Sequence, residues 1–193
     1  EREPEKLPWG ALNIDIVVES TGFFTSYEGS KKHLTAGAKR VVISAPASGD
    51  PSAVGVQGAT VLMGVNDSLL QSCQITSNAS CTTNATSPLI AILKETIGIE
   101  KAVLNTVHAY TASQSLVDGP AKKDFRSGRA AALNIIPSST GAAQATTKAH
   151  PELDKKFDGI AMRVPVPVGS IVDVTFISKR DTSAEEINSI LEK

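Results

Sequence analysis

The pattern of apolar and polar positions changes character near residue 81. Residues 14–18 (IDIVV) form a short β-branched run ending at Ser20-Thr21-Gly22, which predicts a buried strand and a turn. Residues 26–36 predict a helix stopped by Gly37, and residues 40–44 (RVVIS) a second buried strand. Strand, helix, strand in that order points to a parallel α/β unit. Residues 45–58 are rich in Pro, Gly, Ser and Ala and read as an exposed loop, and 60–65 and 73–76 as two further short strands. Beyond Cys81, residues 82–97 carry Leu89, Ile90, Leu93 and Ile97 at helical spacing, with Gly98 as the stop. A strand over 101–110, a polar loop over 111–128 and a short helix over 141–149 follow. In 170–178, Val172, Val174 and Phe176 alternate with Asp173 and Thr175, as in a strand with one wet face. Thr182-Ser-Ala-Glu185 reads as a capping box opening a last helix. The pattern therefore predicts part of a parallel sheet over 1–80 and a mixed α+β domain over 81–193.

The 193 residues suffice for a sizeable core, and a net charge of −1 gives no electrostatic reason to expect nucleic acid or an anionic membrane as a partner. No apolar run approaches the roughly 18 residues of a membrane span. The charged start, Glu1-Arg-Glu-Pro-Glu-Lys6, is not a signal peptide, and without an initiator Met it is compatible with a processed or truncated chain. Two cysteines, Cys73 and Cys81, and three scattered histidines show no metal-ligand spacing, so no metal is expected. Free thiols in a reducing cytoplasm are the reading adopted.

One segment concentrates chemistry. In Ser77-Asn-Ala-Ser-Cys-Thr-Thr-Asn84, polar side chains surround one thiol where a strand passes into a helix. A helix N-terminus presents unsatisfied N–H groups and partial positive charge, which favour the thiolate. The same amides, with the hydroxyls of Ser80 and Thr82, suit an oxyanion or a phosphate. Cys73, inside a predicted strand, reads instead as a small buried hydrophobe. His108 lies at a strand end, where α/β enzymes place catalytic groups, whereas His33 and His150 fall on an exposed helix and a helix end. Arg163 sits in an apolar run, Met162-Arg-Val-Pro-Val-Pro167, and needs an anion such as a carboxylate or a phosphate. Ser138-Ser-Thr-Gly-Ala142 opens a helix and is either a plain cap or a phosphate nest.

Residues 77–84 (SNASCTTN) resemble the active-site signature of the phosphorylating glyceraldehyde-3-phosphate dehydrogenases. The resemblance extends through Val17-Val-Glu-Ser-Thr-Gly22, Thr35-Ala-Gly-Ala-Lys39, Ile43-Ser-Ala-Pro46, Met63-Gly-Val-Asn66, residues 106–111, 134–143 and 162–167, in the family's order and spacing. It implies the second half of a Rossmann-type NAD-binding domain followed by a mixed α+β catalytic domain. It implies Cys81 as the nucleophile and His108 as its base. By the same resemblance Ser80, Thr82, Thr140 and Gly141 bind inorganic phosphate, Thr111 and Arg163 bind the phosphate of glyceraldehyde 3-phosphate, and Thr21, Phe24 and Ser44 contact the cofactor near its adenosine. Gly119-Pro120 resembles the loop of members using NAD rather than NADP. A homotetramer is implied for the complete enzyme, with residues 111–129 at a subunit interface.

Departures accompany the likeness: Ala85 replaces a frequent second cysteine, Pro165-Val-Pro-Val-Gly169 replaces the usual Pro-Thr-Pro-Asn stretch, and the 45–58 loop is long. No two glycines are separated by one residue, so the G-x-G-x-x-G turn is absent. Both domains are accordingly expected to be incomplete, the chain an internal fragment, and the isolated piece inactive. Two alternatives stand: an erythrose-4-phosphate dehydrogenase, disfavoured by Ser138-Ser-Thr-Gly-Ala-Ala143, and a non-catalytic homologue or fragment acting as a binding or assembly module.

Overall fold

The computed structural model describes residues 1–121 and 124–192. Lys122 and Lys123, in the predicted 111–128 loop, and Lys193, the end of the predicted 81–193 domain, lie outside the described residues. The chain divides into two compact units, Glu1–Asn84 and Ala85–Lys193.

The first unit holds a wholly parallel sheet of β1 (Ile16–Glu19), β2 (Arg40–Ile43), β3 (Gly58–Thr60) and β4 (Ile75–Ser77), in the order β1-β2-β4-β3. Helix α1 (Tyr27–Thr35) starts where the Ser26 hydroxyl accepts the Gly29 amide at 2.9 Å. Its Tyr27 packs with Val41, Ile43, Val56 and Ile75 to form the core of the unit.

The pattern misled at three places here. The first strand is not buried on both sides: Val17 and Glu19 are buried, whereas Ile16 and Val18 are exposed. Successive side chains on an edge strand point to opposite faces, and only one face of β1 is covered. The strand expected over 60–65 ends at Thr60, because Asn66 folds the chain back. Its Oδ1 accepts the Leu62 amide at 2.7 Å and its Nδ2 donates to the Thr60 carbonyl at 3.0 Å. Cys73 is buried as expected, but in the turn before β4 rather than within a strand.

Helix α2 (Cys81–Thr96) follows, and the second unit is built on β5 (Ile99–Ala109). It pairs in parallel with β7 (Phe157–Val164) and antiparallel with β8 (Ser170–Ser178), and β6 (Ile136–Ser138) pairs antiparallel with β7, giving the order β6-β7-β5-β8. Ile90, Leu93 and Ile97 at helical spacing pack with Ile99, Ala102, Leu104, Leu153 and Phe157. Ala142 and Ala143 of α3 (Ala142–Ala149) and Ile187 and Ile190 of α4 (Ala184–Leu191) join them. The opposite sheet face exposes Val103, Ile160, Ile171 and Ile177.

Strands β6 and β7 had no sequence signal. The first is three residues long and contains Pro137; the second is broken in pattern by Asp158 and Gly159. Gly159 is required, since a Cβ there would come within 2.8 Å of the Leu104 carbonyl oxygen on the adjacent strand. The last helix is capped one residue later than expected: Ser183, not Thr182, accepts the Glu186 amide, at 3.2 Å. The Thr182 hydroxyl donates to Glu186 instead, and the Arg180 guanidinium, followed by that hydroxyl, holds the Glu186 carboxyl at about 2.

His150 closes α3, the helix end expected for it, and is buried there, with its Nδ1 3.3 Å from Lys94 Nζ, which also pairs with Glu152 at 2.8 Å. Burial, followed by the Lys94 charge, holds the His150 imidazolium below its ordinary value. The unfolded chain therefore takes up this proton first. Folding stability should fall as pH drops below about 6.5, through the lowered folded value. Urea unfolding across this range should show the loss, and His150→Gln should flatten it. Among the described residues, no helix is long and apolar enough to cross a membrane, and no group of three or more His, Cys, Asp or Glu side chains is placed to hold a metal ion.

Candidate active site

Cys81 is the first residue of the 16-residue α2 and is exposed. A tightly tied turn puts it there. At the end of β4 the buried Ser77 hydroxyl donates to the Ala45 carbonyl at 2.7 Å and accepts the Ala47 and Ala79 amides, each at 3.1 Å. Ala79 then adopts a left-handed backbone, φ +56°, a conformation costly for a residue with a side chain. Ser80 caps the helix: its Oγ accepts the Thr83 amide at 3.1 Å and lies 2.7 Å from the Thr83 hydroxyl. The Cys81 Sγ lies 4.0 Å from the Thr82 hydroxyl. Ser80, Cys81 and Thr82 thus share one helix end, with Cys81 exposed.

In the second unit, His108 and Arg163 stand side by side in register on the parallel pair β5 and β7. Arg163 Nη1 donates to His108 Nδ1 at 2.6 Å and to the Ala109 carbonyl at 3.0 Å. A guanidinium only donates, so Nδ1 accepts and the ring hydrogen of this neutral tautomer sits on Nε2. The Ala109 oxygen lies 2.7 Å from Nδ1, ready to accept from it in the other tautomer. Both of these acceptors are neutral.

Thr111 follows β5 by two residues, on the same sheet edge. Its hydroxyl lies 2.9 Å from the Ser113 hydroxyl and donates to Gln114 Oε1 at 3.2 Å, and its amide donates to that oxygen at 2.9 Å. Gln114 is buried and also donates to Ser113 at 2.9 Å. Sequence reasoning passed over both residues, which read as ordinary loop polar groups. Thr140 and Gly141 precede α3: Gly141 is its N-cap, with no side-chain cap bond, and the Thr140 hydroxyl accepts the Ala142 amide at 3.1 Å. They leave β6 at Ser138, which pairs with Ala161, two residues before Arg163 on β7.

Thr21, Phe24 and Ser44 lie just past the carboxyl ends of β1 and β2, where open parallel sheets take up nucleotides. On this rim Ser44 and Phe23 are exposed, Phe24 is half-buried, and a Cβ on Gly22 would meet nothing within 4 Å. Beneath it, Glu19 and His33 are both buried and lie 2.9 Å apart. His33, expected on an exposed face, faces inward. Glu19 had a signal: a carboxylate at the end of an apolar run needs a partner as much as Arg163 does.

A family model described as glyceraldehyde 3-phosphate dehydrogenase, C-terminal domain, matches residues 80–193. The chain is 53% identical over 188 residues to glyceraldehyde-3-phosphate dehydrogenase 1 of Trichormus variabilis, covering 96% of this chain and 53% of that protein. It is 48% identical over 195 residues to glyceraldehyde-3-phosphate dehydrogenase of Clostridium pasteurianum, covering 100% of this chain and 56% of that protein. The figure for glyceraldehyde-3-phosphate dehydrogenase 1 of Candida glabrata is 50% over 194 residues, with the same two coverages. The chain thus spans about half the length of the curated relatives it matches. A family model covering more than half of the chain, together with relatives of about 50% identity along all of it, places the chain in the glyceraldehyde 3-phosphate dehydrogenase family.

Proposed function

We propose that the complete protein oxidises D-glyceraldehyde 3-phosphate to 1,3-bisphosphoglycerate with inorganic phosphate and NAD, and that this chain supplies its thiol, base and phosphate-binding groups. The observation that carries the reading is Cys81, an exposed thiol at the first position of a capped helix with hydroxyls on both sides. Residues 1–80 belong to the cofactor-binding domain and 81–193 to the catalytic domain. The enzyme works as a homotetramer in a reducing cytoplasm.

Cys81 Sγ attacks the aldehyde carbon, and His108 takes up the proton displaced in that step. NAD, which Thr21, Phe24 and Ser44 would hold near its adenosine, would supply the acceptor for the hydride of this carbon. The Cys81 thioester that remains is attacked by inorganic phosphate, held by Ser80, Thr82, Thr140 and Gly141, and the thiolate departs. Thr111 and Arg163 hold the phosphate of the substrate. Its arrival draws Arg163 away from His108 Nδ1. The ring hydrogen then moves to Nδ1 and is accepted by the Ala109 carbonyl, which bares the Nε2 lone pair for its task as base.

Arg163→Leu tests the reading. Loss of a charge-assisted bond of about 1.5–3 kcal/mol should lower kcat/KM for glyceraldehyde 3-phosphate roughly 10- to 100-fold, with NAD affinity nearly intact. Equal losses for phosphate-bearing and phosphate-free aldehydes would mean that Arg163 only holds the fold. Gly119-Pro120 further leads us to expect a higher kcat/KM with NAD than with NADP, and steady-state kinetics with both cofactors decides this.

A further inference from the structure

The buried polar chain under the rim at the carboxyl ends of β1 and β2 has one consistent hydrogen pattern. Trp9 Nε1 donates to His33 Nδ1 at 3.1 Å, and an indole nitrogen can only donate. His33 Nδ1 therefore bears a lone pair, and the ring hydrogen lies on Nε2, 2.9 Å from Glu19 Oε2. Glu19 Oε1 accepts the Thr21 amide at 2.8 Å and the Thr21 hydroxyl as well. That hydroxyl in turn accepts the Phe23 amide at 3.2 Å. Both carboxylate oxygens are thus committed as acceptors, one toward the histidine and one toward the turn. Burial pushes the Glu19 carboxyl up, but the bonds from Thr21 and His33 outweigh it and hold the group below its ordinary value.

The same two residues reach the rest of the rim. The Ser44 hydroxyl donates to the Glu19 carbonyl at 3.2 Å, and the Ser44 amide does so at 3.0 Å. The Phe24 ring meets the His33 ring edge-on, with centroids 6.3 Å apart. The Ser30 hydroxyl on α1 holds the Phe24 carbonyl at 2.7 Å.

We propose that Glu19 is a positioning residue for the cofactor: through the Trp9–His33–Glu19 chain it sets Thr21, Phe24 and Ser44 in place for the adenosine half of a nicotinamide dinucleotide. This rests on the cofactor reading of those three residues given above. A carboxylate is required because its neutral isostere cannot meet both demands. In Glu19→Gln the single oxygen is claimed by the two Thr21 donors, and the amide NH2 then confronts the Nε2 hydrogen of His33. Removing the indole donor relieves the conflict. With Trp9→Phe as well, His33 carries its hydrogen on Nδ1 and accepts through Nε2 from the introduced side-chain amide.

The test is NAD binding by calorimetry to the complete protein, independent of turnover. Glu19→Gln should weaken binding about tenfold, as expected for a lost bond to a charged group. The double variant Trp9→Phe/Glu19→Gln should recover most of that loss, which a merely structural role of Glu19 would not allow. Cys81 alkylation, which reports whether the turn after β4 is intact, should stay within about twofold of wild type in both. Wild-type NAD affinity in Glu19→Gln, or no recovery in the double variant, overturns the proposal. Should Glu19→Gln not fold, His33→Gln, which keeps a donor for Glu19, should bind NAD more tightly than His33→Leu, which does not; equal affinities overturn it. Thr21→Val and Phe24→Ala separate the two readings. If neither alters NAD affinity, the cofactor assignment of the rim is what fails. If both weaken it and Glu19→Gln does not, the positioning role is what fails.

Discussion

Cys81→Ser should abolish phosphate-dependent NADH formation by the complete protein. A serine hydroxyl is a far weaker nucleophile than a thiolate at neutral pH, and an oxygen ester resists attack by phosphate where a thioester yields. An ordinary thiol, ionising near about 8.5, is only a few per cent thiolate at neutral pH. Cys81 is exposed at the first position of α2, where an electrophile can reach it. Iodoacetamide should therefore label Cys81 far faster than the buried Cys73. Exposure alone would also produce a difference, so activity is the sharper measurement: NADH formation should be lost in step with alkylation of Cys81, and full activity after complete labelling of Cys81 removes the assignment.

His108→Asn should lower turnover by roughly 10²–10⁴-fold, the usual contribution of a positioned base. It should also slow Cys81 alkylation. Asn keeps a polar group of similar reach next to Arg163 and Ala109, so the strand pair β5 and β7 is expected to persist and thermal unfolding to shift little. If turnover and alkylation both stay within about twofold, His108 is structural and another group is the base. With Arg163→Leu nothing competes for Nδ1, so alkylation of Cys81 should depend less on added phosphate than in the wild type.

Much of this protein was legible in its residues because the signals were local. The strand over 170–178, the helices beginning at Tyr27 and Cys81 and the core positions Ile90, Leu93 and Ile97 follow from periodicity and capping chemistry, which act within a few residues. Cys81 and His108 stood out because thiol and imidazole chemistry needs particular neighbours at short range or a strand end.

Only the tertiary structure decided the rest. Gly159 sits mid-strand because the Leu104 carbonyl approaches it from 55 residues away, so β7 has no pattern to read. Asn66 ends β3 through bonds to both sides of a turn that no run of apolar residues foretells. Helix placement did not tell that two of the histidines are buried: His33 is held by Glu19 and Trp9, and His150, at the end of α3, sits beside Lys94. Whether an ionisable side chain faces water or a partner is settled by what the fold packs against it. The sequence by itself determined the chemistry available, a thiol at a helix end and a histidine at a strand end. Tertiary packing alone decided which nitrogen of each imidazole bears the hydrogen, because that is fixed by donors brought in from distant segments, Arg163 for His108 and Trp9 for His33.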